Sequence, residues 1–300
     1  MDFGRLKSFA GRQMDRQLRK TAGTWFEAPT DRLIQEKTVQ WIEESTLDRV
    51  VLLALDWIYR IDGSRDGART VVATGNDYVA ETARLSRKII FGASVHPYRH
   101  DALHELSRLA DLGASLVKWI PSAQRIKADH PACFPFYDAL ARTGIPLLCH
   151  SGVEHVLPGG TTTLNDPRRL SPALDRGVTV IAAHLGAPMT LYEPNFIRHW
   201  TRMTRRYRRL FGDVSALAVP LRAAMLRFIA RRDDICSRML YGSDYPQPAW
   251  PRLIALQLGL RNVRSIARMP NPFDKSLATV RGLGLPDHVF SRAEKVLRFA

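Results

Sequence analysis

The 300-residue chain is poor in cysteine. It has three, Cys133, Cys149 and Cys236, widely spaced and with no Cys-x-x-Cys pair. An odd, sparse set of this kind is not a disulfide framework. Cys149, inside "PLLCH", reads as a small buried apolar residue. No apolar run reaches the roughly 18 residues that a membrane span needs. The opening "MDFGRLKSFAGRQMDRQ" contains no apolar signal-peptide core. These absences predict a soluble, cytoplasmic protein with no membrane partner. No internal repeat, low-complexity tract or linker interrupts the chain; the longest Gly/Thr/Pro-rich piece, "LPGGTTTLNDP", is loop-sized.

Acidic residues are scarce beside basic ones, 29 against 44, giving a net charge of +15. Such an excess suits nucleic acid, an acidic surface or an anionic small molecule. The densest basic run is "RHWTRMTRRYRRL", Arg198 to Leu210. Within it Trp200, Met203, Tyr207 and Leu210 recur at three- and four-residue steps, which predicts a helix with one apolar face and a solvated basic remainder. No RNA-recognition signature or zinc finger accompanies it, so the expected partner is a small, anionic substrate and not nucleic acid.

What the chain does have is a series of short, continuous apolar runs. They are "DRVVLLALD", "KIIFGASV", "ASLVKWIP", "GIPLLCHSG", "GVTVIAAHLG", "RLFGDVSAL" and "SRMLYGSDYP". Unbroken and often β-branched, they read as strands buried on both faces. Amphipathic helical stretches separate them, several ending on Gly. One more helix, "DRLIQEKTVQWIEEST", precedes the first run, with Thr30 as its N-cap. Strand and helix alternate with short links, so the sheet is expected to be parallel. Seven strands are one short of a (β/α)8 barrel. An open doubly wound sheet needs no eighth, but the Gly-rich phosphate loop common in such sheets follows none of the runs.

The strand exits carry Asp56, His96, Lys118, His150, His184, Asp213 or Ser215, and Asp244. In parallel barrels the C-terminal strand ends open on one face, and chemistry collects there. Two histidines and an aspartate from three strands can meet near the barrel axis. Imidazole nitrogen with carboxylate oxygen suits zinc or a similar divalent ion, and a nearby carboxylate can take the proton of an activated water. Each residue also has a structural reading. Asp56 can simply cap the next loop, Lys118 can pair with a neighbouring carboxylate, and His130, in a loop before a helix, reads as structural.

The pieces "SVHPY", "LVKWIPSAQRIKADHPACFPFYDALARTGIPLLCHSG", "VIAAHLG" and "MLYGSDYP", in this order, resemble the amidohydrolase superfamily in its amidohydrolase-related branch. That branch holds metal-dependent hydrolases and decarboxylases similar to aminocarboxymuconate-semialdehyde decarboxylase. The resemblance covers about residues 30–300. It implies a single α/β domain over 1–300, a (β/α)8 TIM-barrel-like fold of the metal-dependent hydrolase type, with 1–29 as a loop region. It implies His150 and Asp244 as metal ligands, Asp244 also as general base, and His184 as the group that polarises substrate or holds the attacking water. His96 and Lys118 are carried as substrate-binding residues, and Arg12 and Arg16 as further cations for a carboxylate. The implied cofactor is one divalent metal, zinc or manganese, and a homodimer is compatible with the branch.

The branch's first strand brings an Asp-x-His-x-His motif, and this sequence contains no His-x-His; its first histidine is His96. The absent eighth strand and the absent ligands are therefore one absence. If the natural protein starts further upstream, both come with the added residues. If the chain is complete as written, two ligands are too few for a tight zinc site, and little or no activity is expected. Three functions follow: hydrolysis of a C–N or C–O bond, as in a lactone or cyclic amide; non-oxidative decarboxylation of an unsaturated or aromatic acid; or, from another class, a catalytically degenerate barrel that binds a partner.

Overall fold

The computed structural model describes residues 31–157 and 161–299, together with Arg12, Asp15, Arg16 and Arg19. Seven strands lie inside the seven apolar runs: β1 (Val50–Leu53), β2 (Ile89–Gly92), β3 (Val117–Trp119), β4 (Leu147–His150), β5 (Val180–Ala183), β6 (Leu210–Asp213) and β7 (Met239–Leu240). All pairings are parallel and run in chain order, β1 with β2 and then β3 through β7. A parallel bridge between Ala93 and Val117 carries the sheet from β2 to β3, with Lys118 N donating to Ala93 O at 2.7 Å. Strands laid side by side in sequence order, with helices between them, follow the path of a TIM barrel. A doubly wound sheet would reverse its order partway.

Two inward-facing layers follow from the period of two along each strand. Leu116, Leu148, Ile181, Ala183 and Leu240 pack together inside the sheet, with Val51 and Phe211 against them. Ala293, Val296 and Leu297 near the chain's end join this cluster, and Arg298 N donates to Ser115 O just ahead of β3. The C-terminal segment therefore covers the N-terminal end of the barrel. Two residues further along the same inward faces, Leu116 gives way to Lys118, Leu148 to His150 and Phe211 to Asp213, all three buried. The apolar floor becomes a polar mouth within one pleat. On the outward faces Val117, Trp119, Leu147, Cys149, Val180 and Ala182 pack with the helices in the larger core.

The described residues leave the ring open on one side. Among the described residues no strand pairs β7 with β1. Val50 N donates to Lys88 O and Ala54 N to Gly92 O, so these peptide groups face β2. By alternation those of Val51 and Leu53 face the opening. Leu53 is 37% exposed, whereas every residue of β4 and β5 is buried. Across the opening, Tyr241 N finds Val289 O at 3.0 Å where a neighbouring strand would otherwise accept.

One sequence expectation differs in detail. The basic helix is shorter than the run suggests, Ile197–Thr204, because Leu210 already belongs to β6 and the chain must turn before it. "RNVRSIARMPNPFDK" forms parts of two helices, Leu260–Ala267 and Pro272–Arg281, divided at Pro270 and capped at Asn271, whose side chain accepts from Phe273 N and Asp274 N. Thr30 and most of the 1–29 loop region lie outside the described residues. No helix among the described residues is long and apolar enough to cross a membrane.

Candidate active site

Among the described residues, four of the five non-glycine residues in left-handed backbone lie just past β5, β6 and β7: His184 (φ 57°), Leu185 (φ 54°), Ala216 (φ 51°) and Asp244 (φ 59°). Such conformations are costly for residues with a Cβ, and they collect where the surrounding structure holds a functional geometry. After His184 and Leu185 comes Gly186 at φ +65°, where a Cβ would lie 2.8 Å from Phe196 Cβ, so only glycine completes this turn.

His184 is buried, and three bonds fix it. Its backbone N donates to Asp213 Oδ1 at 2.9 Å, and its ring Nδ1 lies 3.0 Å from Ser215 O and 2.9 Å from Ser215 Oγ. A carbonyl can only accept, so Nδ1 carries the proton. The Ser215 hydroxyl gives its own proton to Asp213 Oδ1 in a very short bond. Nε2 is left with a lone pair. Burial, with His150, Arg222 and Lys118 adding to it, holds the imidazole well below its ordinary pKa, so the ring is neutral.

The His150 ring lies edge-on to that of His184, centroids 4.8 Å apart. Its Nδ1 is 3.5 Å from Glu154 Oε2. Its Nε2 is buried with no hydrogen-bond partner. Burial depresses the pKa to about 4 against the pull of Glu154, so this ring too is neutral. Glu154 is held in place by accepting from Val156 N at 2.7 Å and Leu157 N at 3.0 Å.

Asp244 keeps solvent-accessible surface at the mouth, in the turn that precedes a cis Tyr245–Pro246 bond. Protein nevertheless surrounds its carboxyl on enough sides that desolvation raises the pKa to about 7. Lys118 and Arg222 pull it down, while Asp213 and Glu154 push it further up. Lys118, buried on β3, acts on His150, His184 and Asp244 alike, so the sheet brings it to the same place.

His96 stands apart. It is fully buried, with Nε2 donating to Gln124 O at 2.9 Å and Nδ1 accepting from Tyr98 N at 3.2 Å. Both ring nitrogens are used by the backbone, which corrects its expected substrate-binding role to a structural one. Asp56 does cap the loop, as one reading held, accepting from Trp57 N and His96 N and pairing with Arg99. His130 caps a turn through Ala132 N. Arg12 and Arg16 are exposed. A cavity of about 360 Å³ lies over the loops after β1, β2 and β3, lined by Tyr59, Arg69, Tyr98 and His130 among others, and includes none of Lys118, His150, His184 and Asp244.

Two participants escape a reading of strand ends. Glu154 lies in the loop after β4, four residues past His150. Arg222 is buried in the helix Pro220–Ile229. Its Nε donates to Ala187 O at 3.0 Å and its Nη1 to Ala216 O at 3.2 Å, neither of which neutralises its charge. Desolvation lowers its pKa to about 10, opposed by the field of Asp244, Glu193, Glu154 and Asp213. The only signal in the sequence is one arginine within the otherwise apolar "VPLRAAML".

The orphaned Nε2 of His150 and the Asp244 carboxylate are donors suited to a divalent ion. They do not complete a site: among the described residues no three of His, Cys, Asp and Glu come together to hold a metal. A structural or catalytic zinc takes three or four protein ligands.

The amidohydrolase family model matches residues 48–262. A comparison with curated proteins gives no match. Among solved structures, an uncharacterised TIM-barrel protein from Bordetella bronchiseptica is similar with a TM-score of 0.60 at 17% identity, covering 94% of this chain and 91% of that one. A 5-carboxyvanillate decarboxylase from Novosphingobium aromaticivorans, holding manganese and a nitrobenzoic acid, gives 0.53 at 14% identity over 95% of this chain and 85% of its own. A probable 2-pyrone-4,6-dicarboxylic acid hydrolase from Acinetobacter baumannii, with citric acid bound, gives 0.52 at 13% identity over 87% and 86%. These likenesses support the barrel, and the family match, which spans most of the chain and includes every strand end described above, shows that the chain belongs to the amidohydrolase family.

Proposed function

We propose that the chain is a hydrolase that cleaves a C–N or C–O bond in a small anionic molecule, such as a lactone or cyclic amide. The observation that carries this reading is the convergence of Lys118, His150, His184 and Asp244 on one mouth, with both imidazoles neutral and the carboxyl poised near neutrality. Asp244 takes a proton from water as it attacks the substrate carbonyl, and returns it to the leaving nitrogen or oxygen. The fixed tautomer of His184 offers Nε2 as an acceptor, so His184 holds the attacking water and does not donate to an oxyanion. The developing negative charge falls to Lys118. Arg222, buried and not neutralised by its own hydrogen bonds, suits a substrate carboxylate. A zinc or manganese ion on His150 and Asp244 would need donors beyond those described, and none of these steps runs through it.

A second reading is favoured by the same buried cations. Lys118 and Arg222 could seat a carboxylate that leaves as carbon dioxide, with Asp244 delivering the proton. Incubating the protein with a panel of lactones, cyclic amides and hydroxybenzoic acids, and following both ring opening and carbon dioxide release, separates the two. Ring opening lost in Asp244→Asn supports hydrolysis. Carbon dioxide release without ring opening favours decarboxylation. Inactivity on the whole panel, with and without added zinc or manganese, favours a degenerate barrel.

A further inference from the structure

A second set of side chains, used by none of this chemistry, is apolar and stands in solvent. Phe228 is 70% exposed, Trp250 46%, Leu253 60%, Leu256 96% and Leu260 71%. They come from the helix Pro220–Ile229 and the segment after β7 with its helices Ala255–Leu258 and Leu260–Ala267. Arg227 Nη1, beside Phe228, donates to Gln257 O at 2.6 Å and clasps the two parts together. The same segments already bury Leu226, Ile254, Leu258, Val263 and Ile266 in the core. The exposed set is therefore surplus to folding, and so many large apolar side chains left in solvent on segments clasped together point to an interaction surface.

Its surroundings select the partner. From Ala249 to Asn271 there are four arginines, Arg252, Arg261, Arg264 and Arg268, and no Asp or Glu. All four are exposed. A symmetric contact between two copies would set this face against itself and bring arginine against arginine, in a chain already at +15. Exposed tryptophan, phenylalanine and leucine on segments whose only charged residues are arginines is instead the composition of a surface that lies in a lipid headgroup region. We propose that this face docks the protein on an anionic lipid surface. No described helix crosses the bilayer in this arrangement. Side chains enter the headgroups while the arginines meet lipid phosphates and carboxylates, which gives part of the basic excess a purpose that the candidate active site does not.

The test is co-sedimentation of the full chain with vesicles of phosphatidylcholine and phosphatidylserine, against phosphatidylcholine alone. The protein is expected to sediment with the mixed vesicles only, and to be released as salt rises from about 0.1 M to about 0.5 M. Leu253→Glu with Leu256→Glu, and separately Arg261→Glu with Arg264→Glu, should each lower the bound fraction about tenfold. All four side chains are exposed, so circular dichroism should be unchanged. No sedimentation with the mixed vesicles overturns the proposal, as does binding that both double variants retain. A dimer by light scattering that Leu253→Glu with Leu256→Glu splits would show the face to be a subunit contact instead.

Discussion

The Nδ1 of His184 donates to the carbonyl of Ser215 at 3.0 Å, and that bond decides which ring nitrogen is left for chemistry. The carbonyl is positioned by the turn through Ala216, and the ring by Asp213, which takes up the backbone N of His184. Asp213 also accepts from Ser215 N and Ser215 Oγ, so one carboxylate anchors three donors.

Asp213→Ala should therefore strand three buried donors. A loss of about 2–5 kcal/mol is expected, read from urea denaturation midpoints. Activity should fall through kcat more than KM, because His184 is misplaced and not removed. A stability change within about 0.5 kcal/mol would show that the three bonds are replaced by water.

The pH dependence follows from Asp244. As a base it works only when ionised, so kcat/KM should rise through about pH 7. Asp244→Asn should lower kcat by about 10²–10⁴-fold. Stability has the opposite sign. A carboxyl whose folded pKa is raised favours the folded state fully below its unfolded pKa, and that contribution is lost as pH rises through about 7. Asp244→Asn should melt above wild type at alkaline pH and alongside it near pH 4, in paired thermal scans.

Buried neutral histidines make the fold acid-sensitive. His96 and His150 both sit at about 4 in the folded state, below the ordinary histidine value. The unfolded chain then binds more protons between about pH 6.5 and 4, and stability falls across that window. The loss is on the order of 3 kcal/mol per histidine. His96→Gln should flatten the slope of stability against pH, which denaturation at several pH values would detect; an unchanged slope would show that His96 already protonates in the native state.

Arg222 should act on substrate binding. Arg222→Lys keeps a charge but loses the fork that grips Ala187 O and Ala216 O. Arg222→Gln removes the charge. For an anionic substrate the expected order of KM is wild type, then Lys, then Gln, with kcat changing less. An equal effect on a neutral analogue would reduce Arg222 to a structural role.

Much of this was legible in the chain itself. A period of two turns Leu148 and Leu116 into a floor and His150 and Lys118 into a mouth, and "GIPLLCHSG" already spells that out. All seven apolar runs contain their strands, and the shortage of an eighth appears, among the described residues, as the opening beside Leu53. His96 misled because a strand-end position says nothing about whether Gln124 O and Tyr98 N will take its nitrogens. Glu154 and Arg222 were hidden for a related reason. One returns through an irregular loop and the other points inward from a helix, and neither path has a period to read. The tautomer of His184 depends on a carbonyl from β6's exit, a contact 31 residues away.

The most direct test is the initial rate of ring opening across a panel of lactones and cyclic amides, from about pH 5 to about pH 9, for wild type and Asp244→Asn. The account predicts hydrolysis by wild type with an acid limb near pH 7, and its loss in the variant at every pH. Hydrolysis that persists in Asp244→Asn with the same profile would contradict it.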